Sequence, residues 1–256
     1  MTCKAVLRTL AAGVALTVVL TVTPAFAAPG TPRIPGLRFS TSRNWSGYAI
    51  ETNLTSPQNN VVTDVKGTWV VTTVSASPVN ARSASWIGID GYSSGTVEQL
   101  GTESDWVNGH AVYSAWYEMY PKKSMNITTL AVKPGDVMTA EVAYTTKSGF
   151  TLTMTDTTTH KTFTTTQKPG SAKRSSAEWI VEAPWSGGTL PLANFGVIPF
   201  TNCSATVNGH PGPINDPAWQ SDPLTMVGAT GTTLASSPSP LSSGGSAFSM
   251  TWFGLN

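Results

Sequence analysis

An all-β fold, a sandwich of two antiparallel sheets of the jelly-roll kind, is what this 256-residue sequence predicts. Three observations lead there. Short runs alternate apolar and polar residues with period two, which is how a strand with one buried face reads. The runs are rich in Val, Thr, Trp, Tyr and Phe, and Gly, Pro, Ser and Asn punctuate them. No stretch of a dozen residues carries an apolar stripe at helical spacing.

In chain order, Lys4 and Arg8 give a positive start, an apolar stretch runs from Leu10 to Val22, and Ala25-Phe26-Ala27 supplies a small-residue cleavage signature. Residues 1–27 are expected to be a signal peptide cut after Ala27. That predicts a secreted, extracellular protein with no membrane attachment once the segment is removed. Residues 28–43, with Pro29, Pro32 and Pro35, read as an extended arm or short pro-segment. The remainder, 44–256, reads as one sandwich domain. Within it Val65, Gly67, Trp69 and Val71 alternate with Lys66, Thr68 and Val70. Similar runs occur at 85–90, 111–120, 136–146, 150–156, 160–166, 177–182, 193–200, 224–229 and 248–253. The Ser- and Gly-rich stretch 236–246 reads as a loop before the last strand.

Composition narrows the function. Without residues 1–27 the chain holds thirteen basic and fourteen acidic residues. That balance offers no electrostatic footprint for nucleic acid or an anionic membrane. Charged residues are 11% of the chain, against about a quarter in average domains. A surface with so few carboxylates has little to lose on acidification. Cys3 leaves with the signal segment, so Cys203 stands alone and no intrachain disulfide is expected. A monomer is expected. No His/Cys cluster has zinc spacing, and no metal or cofactor is expected.

Four segments place polar groups beside large aromatics. Alternation puts Trp86, Gly88 and Asp90 on one face, Trp116, Glu118 and Tyr120 on another, and Glu178, Ile180 and Glu182 on a third. Between the first two lies Val97-Glu98-Gln99-Leu100-Gly101-Thr102-Glu103, with Gln99 and Glu103 on the same side if the segment is extended. Carboxylates are scarce here, and one buried without a partner on a strand face is costly. Each taken singly reads as a solvated strand carboxylate. Their co-occurrence points to chemistry.

These segments resemble the glutamic peptidase family, the eqolisins. The strings are NWSGYAI (44–50), SWIGIDG (85–91), EQLGTESDW (98–106), YSAWYEMYP (113–121), AEWIVEAP (177–184) and LANFGVIPFTNCS (192–204), in family order. The resemblance implies a sandwich of two long, curved antiparallel sheets and an acid endopeptidase, insensitive to pepstatin, acting on polypeptides. It implies a catalytic pair at Gln99 and Glu182, with supporting positions at Trp86, Asp90, Trp116 and Glu118. The position where the family carries aspartate holds Glu103. The implied chemistry suits the side chains: an ionised Glu182 can take a proton from water and return it to the leaving amine, and the Gln99 amide can donate to the oxyanion.

Other readings stay open on the residues alone. Glu118 and Glu182 would be the two carboxylates of a retaining glycanase. Trp-rich faces also suit a carbohydrate-binding module without catalysis. Gly91-Tyr92-Ser93-Ser94-Gly95 matches G-x-S-x-G, but that motif needs a strand-to-helix turn and a His partner. His110, His160 and His210 read as exposed turn or strand positions.

Overall fold

The computed structural model describes residues 40–168 and 170–256. The expected signal segment and all but the last residues of the Pro-rich arm lie outside them. Among the described residues there is no helix. Sixteen strands are present: β1 (Ser40–Ser42), β2 (Trp45–Glu51), β3 (Val62–Val70), β4 (Ala84–Ile89), β5 (Val97–Val107), β6 (His110–Tyr120), β7 (Met125–Asn126), β8 (Val137–Thr145), β9 (Gly149–Asp156), β10 (Lys161–Gln167), β11 (Ser176–Glu182), β12 (Val197–Val207), β13 (His210–Pro213), β14 (Gln220–Val227), β15 (Leu234–Pro238) and β16 (Phe248–Trp252).

The hydrogen-bonded path runs β10-β9-β8-β3-β12-β16-β15-β14-β2-β11-β4-β5-β6-β7. Every pairing along it is antiparallel, and β1 adds to β14 in parallel. The path doubles back, so β3 lies against β11, β4 and β5 without pairing to them. Three contacts fix that packing. Trp179 Nε1 on β11 donates to the Lys66 carbonyl of β3 at 2.6 Å, and Trp69 Nε1 on β3 donates to Thr102 Oγ1 of β5 at 2.9 Å. Gly67 sits directly beneath the Trp179 and Ile87 side chains. The result is the expected sandwich, with β16 and β15 joining its two layers.

The main core fills the space between the layers. Trp179, Ile87, Leu100 and Val181 come from one side, and Trp69, Met138, Leu152, Phe200 and Met250 from the other. The outer polar rows are largely threonine: Thr153 meets Thr164 and Thr155 meets Thr162 across β9 and β10. Two tight hairpins use Asn-Gly. Asn108-Gly109 joins β5 to β6 and Asn208-Gly209 joins β12 to β13, each pair with both φ values positive, the geometry a two-residue type I′ turn demands.

Residues 40–42, at the end of the expected arm, form β1 and pair with β14. Two further segment readings are corrected. The run expected at 193–200 begins at Val197 and continues to Val207. Its alternation breaks at a register irregularity, where Asn202 takes a φ of 53° and two successive residues are exposed. The loop expected at 236–246 begins with strand residues. Ser236 is buried and bonds Ser46 Oγ at 2.9 Å, a polar pairing where an apolar residue would have signalled a strand.

Gly101 on β5 lies in a close approach. A Cβ there would stand 2.5 Å from the Ser85 carbonyl and from Trp86 Cβ, and 3.1 Å from Trp116. Gly101→Ala is expected to lower unfolding stability by about 1–3 kcal/mol through overpacking, measured by urea denaturation. A variant as stable as the parent would show that β4 and β5 have slack at this point.

Candidate functional site

Strands β2, β11, β4, β5 and β6 are consecutive neighbours, so their registers define rows across one sheet face. The first row reads Trp45, Glu182, Ala84, Glu103, Ser114. The second reads Gly47, Ile180, Trp86, Gly101, Trp116. The third reads Ala49, Glu178, Gly88, Gln99, Glu118. Paired residues point to the same side of a sheet. Six of the seven candidate residues, Trp86, Gln99, Glu103, Trp116, Glu118 and Glu182, therefore share one face. It is the face opposite the main core. A second apolar cluster of Trp45, Ala49, Trp86, Trp116 and Ile180 carries it.

Glu182 is buried and held at both oxygens. Trp86 Nε1 donates to Oε2 at 2.9 Å and Asn44 Nδ2 approaches Oε1 at 3.4 Å. Asn44 is itself tied to Ser42 Oγ at 3.0 Å. Gln99 is buried too. Its Nε2 donates to Glu118 Oε2 at 2.7 Å, which leaves one amide hydrogen for another partner. Its Oε1 has no hydrogen-bond partner among the described residues.

Glu182 and Gln99 stand two rows apart, and Trp86 spans the interval. Its Nε1 is on Glu182, while its Cζ3 reaches back over Gly88. A Cβ on Gly88 would meet Trp86 Cζ3 and Gln99 Cβ, each at 3.1 Å. One indole thus touches Glu182 at one edge and lies beside Gln99 at the other. Trp45 packs edge-on against it, with centroids 4.9 Å apart and planes at 77°. On the first row Ser114 Oγ approaches Glu103 Oε2 at 3.5 Å.

Asp90 has a different place. It follows the end of β4 in the left-handed region, with φ of 73°. Its carboxylate accepts the backbone N–H groups of Lys173, Arg174 and Ser175 at 2.7, 2.7 and 2.9 Å, and the Ser175 hydroxyl at 3.1 Å. It ties down the segment entering β11 rather than bonding Gln99 or Glu182. Alternation alone placed it beside Trp86 because the turn was not visible in the pattern.

Two features escaped sequence reasoning as parts of the site. Asn44 opens a string already singled out, yet nothing in that string says that its amide reaches Glu182. The Arg82–Asp105 ion pair at 2.7 Å lies beyond Glu103 on the same strand. The G-x-S-x-G string falls in the loop between two strands, where Ser93 bonds Glu51 and Ser94 Oγ accepts from Gly91 N. It is no nucleophile elbow. The three histidines are exposed. Among the described residues no group of three or more His, Cys, Asp or Glu side chains could hold a metal ion.

The electrostatics of this region have one direction. Burial pushes Glu98 up to about 9, helped by the nearby Asp90 carboxyl. Burial raises Glu178 well above the usual carboxylate range; the Ser176 hydroxyl opposes this, and Asp90, Glu51 and Glu98 add to it. Asp105 is also raised, by burial and by Glu103, with Arg82 opposing.

Comparison with known proteins adds the following. The profile of the Peptidase A4 family matches residues 43–243. Scytalidopepsin B of Scytalidium lignicola is 32% identical over 149 residues, which is 54% of this chain and 56% of that protein. The match thus spans little more than half of that relative's length. The crystal structure of scytalido-glutamic peptidase with a transition state analog inhibitor superposes with a TM-score of 0.69 at 22% identity. That likeness, which is one of fold, covers 82% of this chain and 98% of that one. Aspergilloglutamic peptidase from Aspergillus niger superposes with a TM-score of 0.59 at 27% identity, covering 68% and 99% respectively.

The raised carboxyls set a sign for stability against pH. Glu98 binds its proton more tightly folded than unfolded, so its contribution is full below about 4.5 and declines as pH rises toward about 9. Glu178 and Asp105 act in the same direction. The urea midpoint is expected to fall between pH 4 and pH 8, and Glu98→Gln to flatten that fall. A midpoint that rises over this range would contradict the assignment.

Proposed function

Since the chain belongs to the Peptidase A4 family, the glutamic peptidases, we propose that it is a secreted endopeptidase that cleaves polypeptides at acid pH, using Glu182 and Gln99. The observation that carries this reading is the Trp86 indole set between those two side chains on one sheet face. A related structure fits a polypeptide substrate: that of SCP-B, an eqolisin, is a complex with the tripeptide Ala-Ile-His. The signal signature at 25–27 supports export.

In the proposed reaction the ionised Glu182 takes a proton from water as that water attacks the scissile carbonyl. The Trp86 and Asn44 donors hold the carboxylate in one orientation for this step. Charge develops on the carbonyl oxygen, and the Gln99 amide hydrogen not engaged by Glu118 donates to it. Gln99 does not titrate, so the donor is present at every working pH. Glu118 fixes which end of the amide faces the oxyanion. Glu182 then returns its proton to the leaving amine. Pepstatin is expected to have no effect, since no aspartate pair takes part.

The glycanase reading fares worse on this geometry. Glu118 stands one strand beyond Gln99, further from Glu182, and its carboxylate receives the Gln99 amide. It is placed to orient a neighbour, not to flank a glycosidic bond with Glu182.

The test is hydrolysis of a denatured protein at acid pH by three variants, each checked for folding by circular dichroism. Glu182→Gln is expected to be inactive. Gln99→Ala is expected to lose about 10²–10³-fold in kcat with KM little changed, because its donor acts only along the reaction path. Glu118→Gln is expected to be impaired but active. A well-folded Gln99→Ala with near-parental kcat would overturn the assignment of the pair.

A further inference from the structure

Glu178 is the buried acid that the proposed reaction leaves unused. It lies on the third row with Gln99, with Gly88 of β4 between them and the Trp86 Cζ3 edge over that glycine. Glu178 is fully buried, and neither of its carboxyl oxygens has a hydrogen-bond partner among the described residues. Gln99 Oε1, on the same face, is buried and unpartnered as well. Buried polar atoms are almost always paired, and one left unpaired is costly. Two residues with such atoms, on one row at the proposed oxyanion donor, mark a place where a ligand brings the missing partners.

We propose that Glu178 is a further binding residue of this site: its carboxyl O–H donates to an oxygen held beside Gln99, supplied either by a backbone carbonyl of the bound peptide or by the attacking water. The inference rests on the peptidase reading above and deepens it. A donor is needed for an oxygen ligand, and a carboxylate has none, so the acid must be protonated. Its surroundings keep it so. Besides burial, Asp90 at the end of β4, Glu51 on β2 and Glu98 on β5 all disfavour a negative charge there, while Ser176 eases it. Further along the row, Glu118 on β6 is engaged by Gln99, and Asp222 on β14 by the Tyr92 hydroxyl at 2.5 Å. The nearest basic residues on the entering segment, Lys173 and Arg174, present backbone N–H groups to Asp90, and the Arg174 guanidinium is turned to Tyr144 and the Val62 carbonyl.

The test uses the full chain with Glu178→Gln, which keeps a neutral donor, and Glu178→Leu, which keeps volume without one. Hydrolysis of a denatured protein is measured as kcat and KM from pH 3 to 8, with folding followed by circular dichroism. Glu178→Gln is expected to keep kcat/KM within about threefold of the parent at acid pH, because its amide keeps a neutral donor. Glu178→Leu is expected to lose about tenfold or more. The loss falls on KM if the partner is a peptide carbonyl and on kcat if it is water. A folded Glu178→Leu with parental kcat and KM would overturn the proposal. Should the leucine variant fail to fold, Glu178→Met replaces it as the variant without a donor, and a folded Glu178→Met with parental kcat and KM would overturn the proposal instead. A parent chain inert toward denatured protein would instead sink the peptidase reading on which this proposal stands.

Discussion

The Trp86 indole sets the spacing between the two groups on which the proposed reaction depends, and much of the surrounding packing keeps that ring in one place. Trp86 is fully buried and faces away from the main core. Its N–H is spent on Glu182 and its far edge lies against Gly88 beside Gln99. Trp45 braces it edge-on, an arrangement favoured by the ring quadrupoles. Gly101, its cross-strand neighbour, leaves no side chain to tilt it. Two glycines on one face would ordinarily weaken strands. Here a Cβ on Gly88 would meet the Trp86 ring, and one on Gly101 would meet the Trp86 Cβ.

A second constraint runs through the same strands. The chain is poor in charge, yet several of its acids are buried: Asp90, Glu98, Glu103, Asp105, Glu118, Glu178 and Glu182 among them. Burying a carboxylate requires compensation, and two solutions are visible. Asp90 is surrounded by backbone N–H donors that satisfy its oxygens. Glu98 and Glu178 are raised by burial and by neighbouring acids, which favours the protonated form. Environments that push acids apart in this way let one sheet carry both hydrogen-bond acceptors and donors built from the same residue type.

Much of this was legible in the residues. Period-two alternation gave the strand content, and the face assignments for Trp86, Gln99, Glu103, Trp116, Glu118 and Glu182 hold because alternation is a local property. What alternation cannot supply is neighbour order. That β11 lies beside β4, with β5 and β6 next, is a non-local choice, and only that order turns separate faces into rows. The Asn-Gly hairpins at 108–109 and 208–209 were available signals that the strand pattern overshadowed. Asp90 was misplaced because a single left-handed residue ends the alternation without changing the composition. Ser236 hid a strand because a buried serine paired to Ser46 reads as loop. Asn44 was hidden by distance: it meets a residue 138 positions away.

The central claim is that the indole N–H of Trp86 holds the Glu182 carboxylate for proton transfer while Glu118 holds the Gln99 amide. The most direct measurement is steady-state peptide hydrolysis by Trp86→Phe, which retains an aromatic ring over Gly88 and removes the N–H donor. Hydrogen bonds to charged groups are worth about 1.5–3 kcal/mol, so the account predicts a folded variant whose kcat falls by about tenfold or more while KM changes little. A folded Trp86→Phe with parental kcat would contradict it.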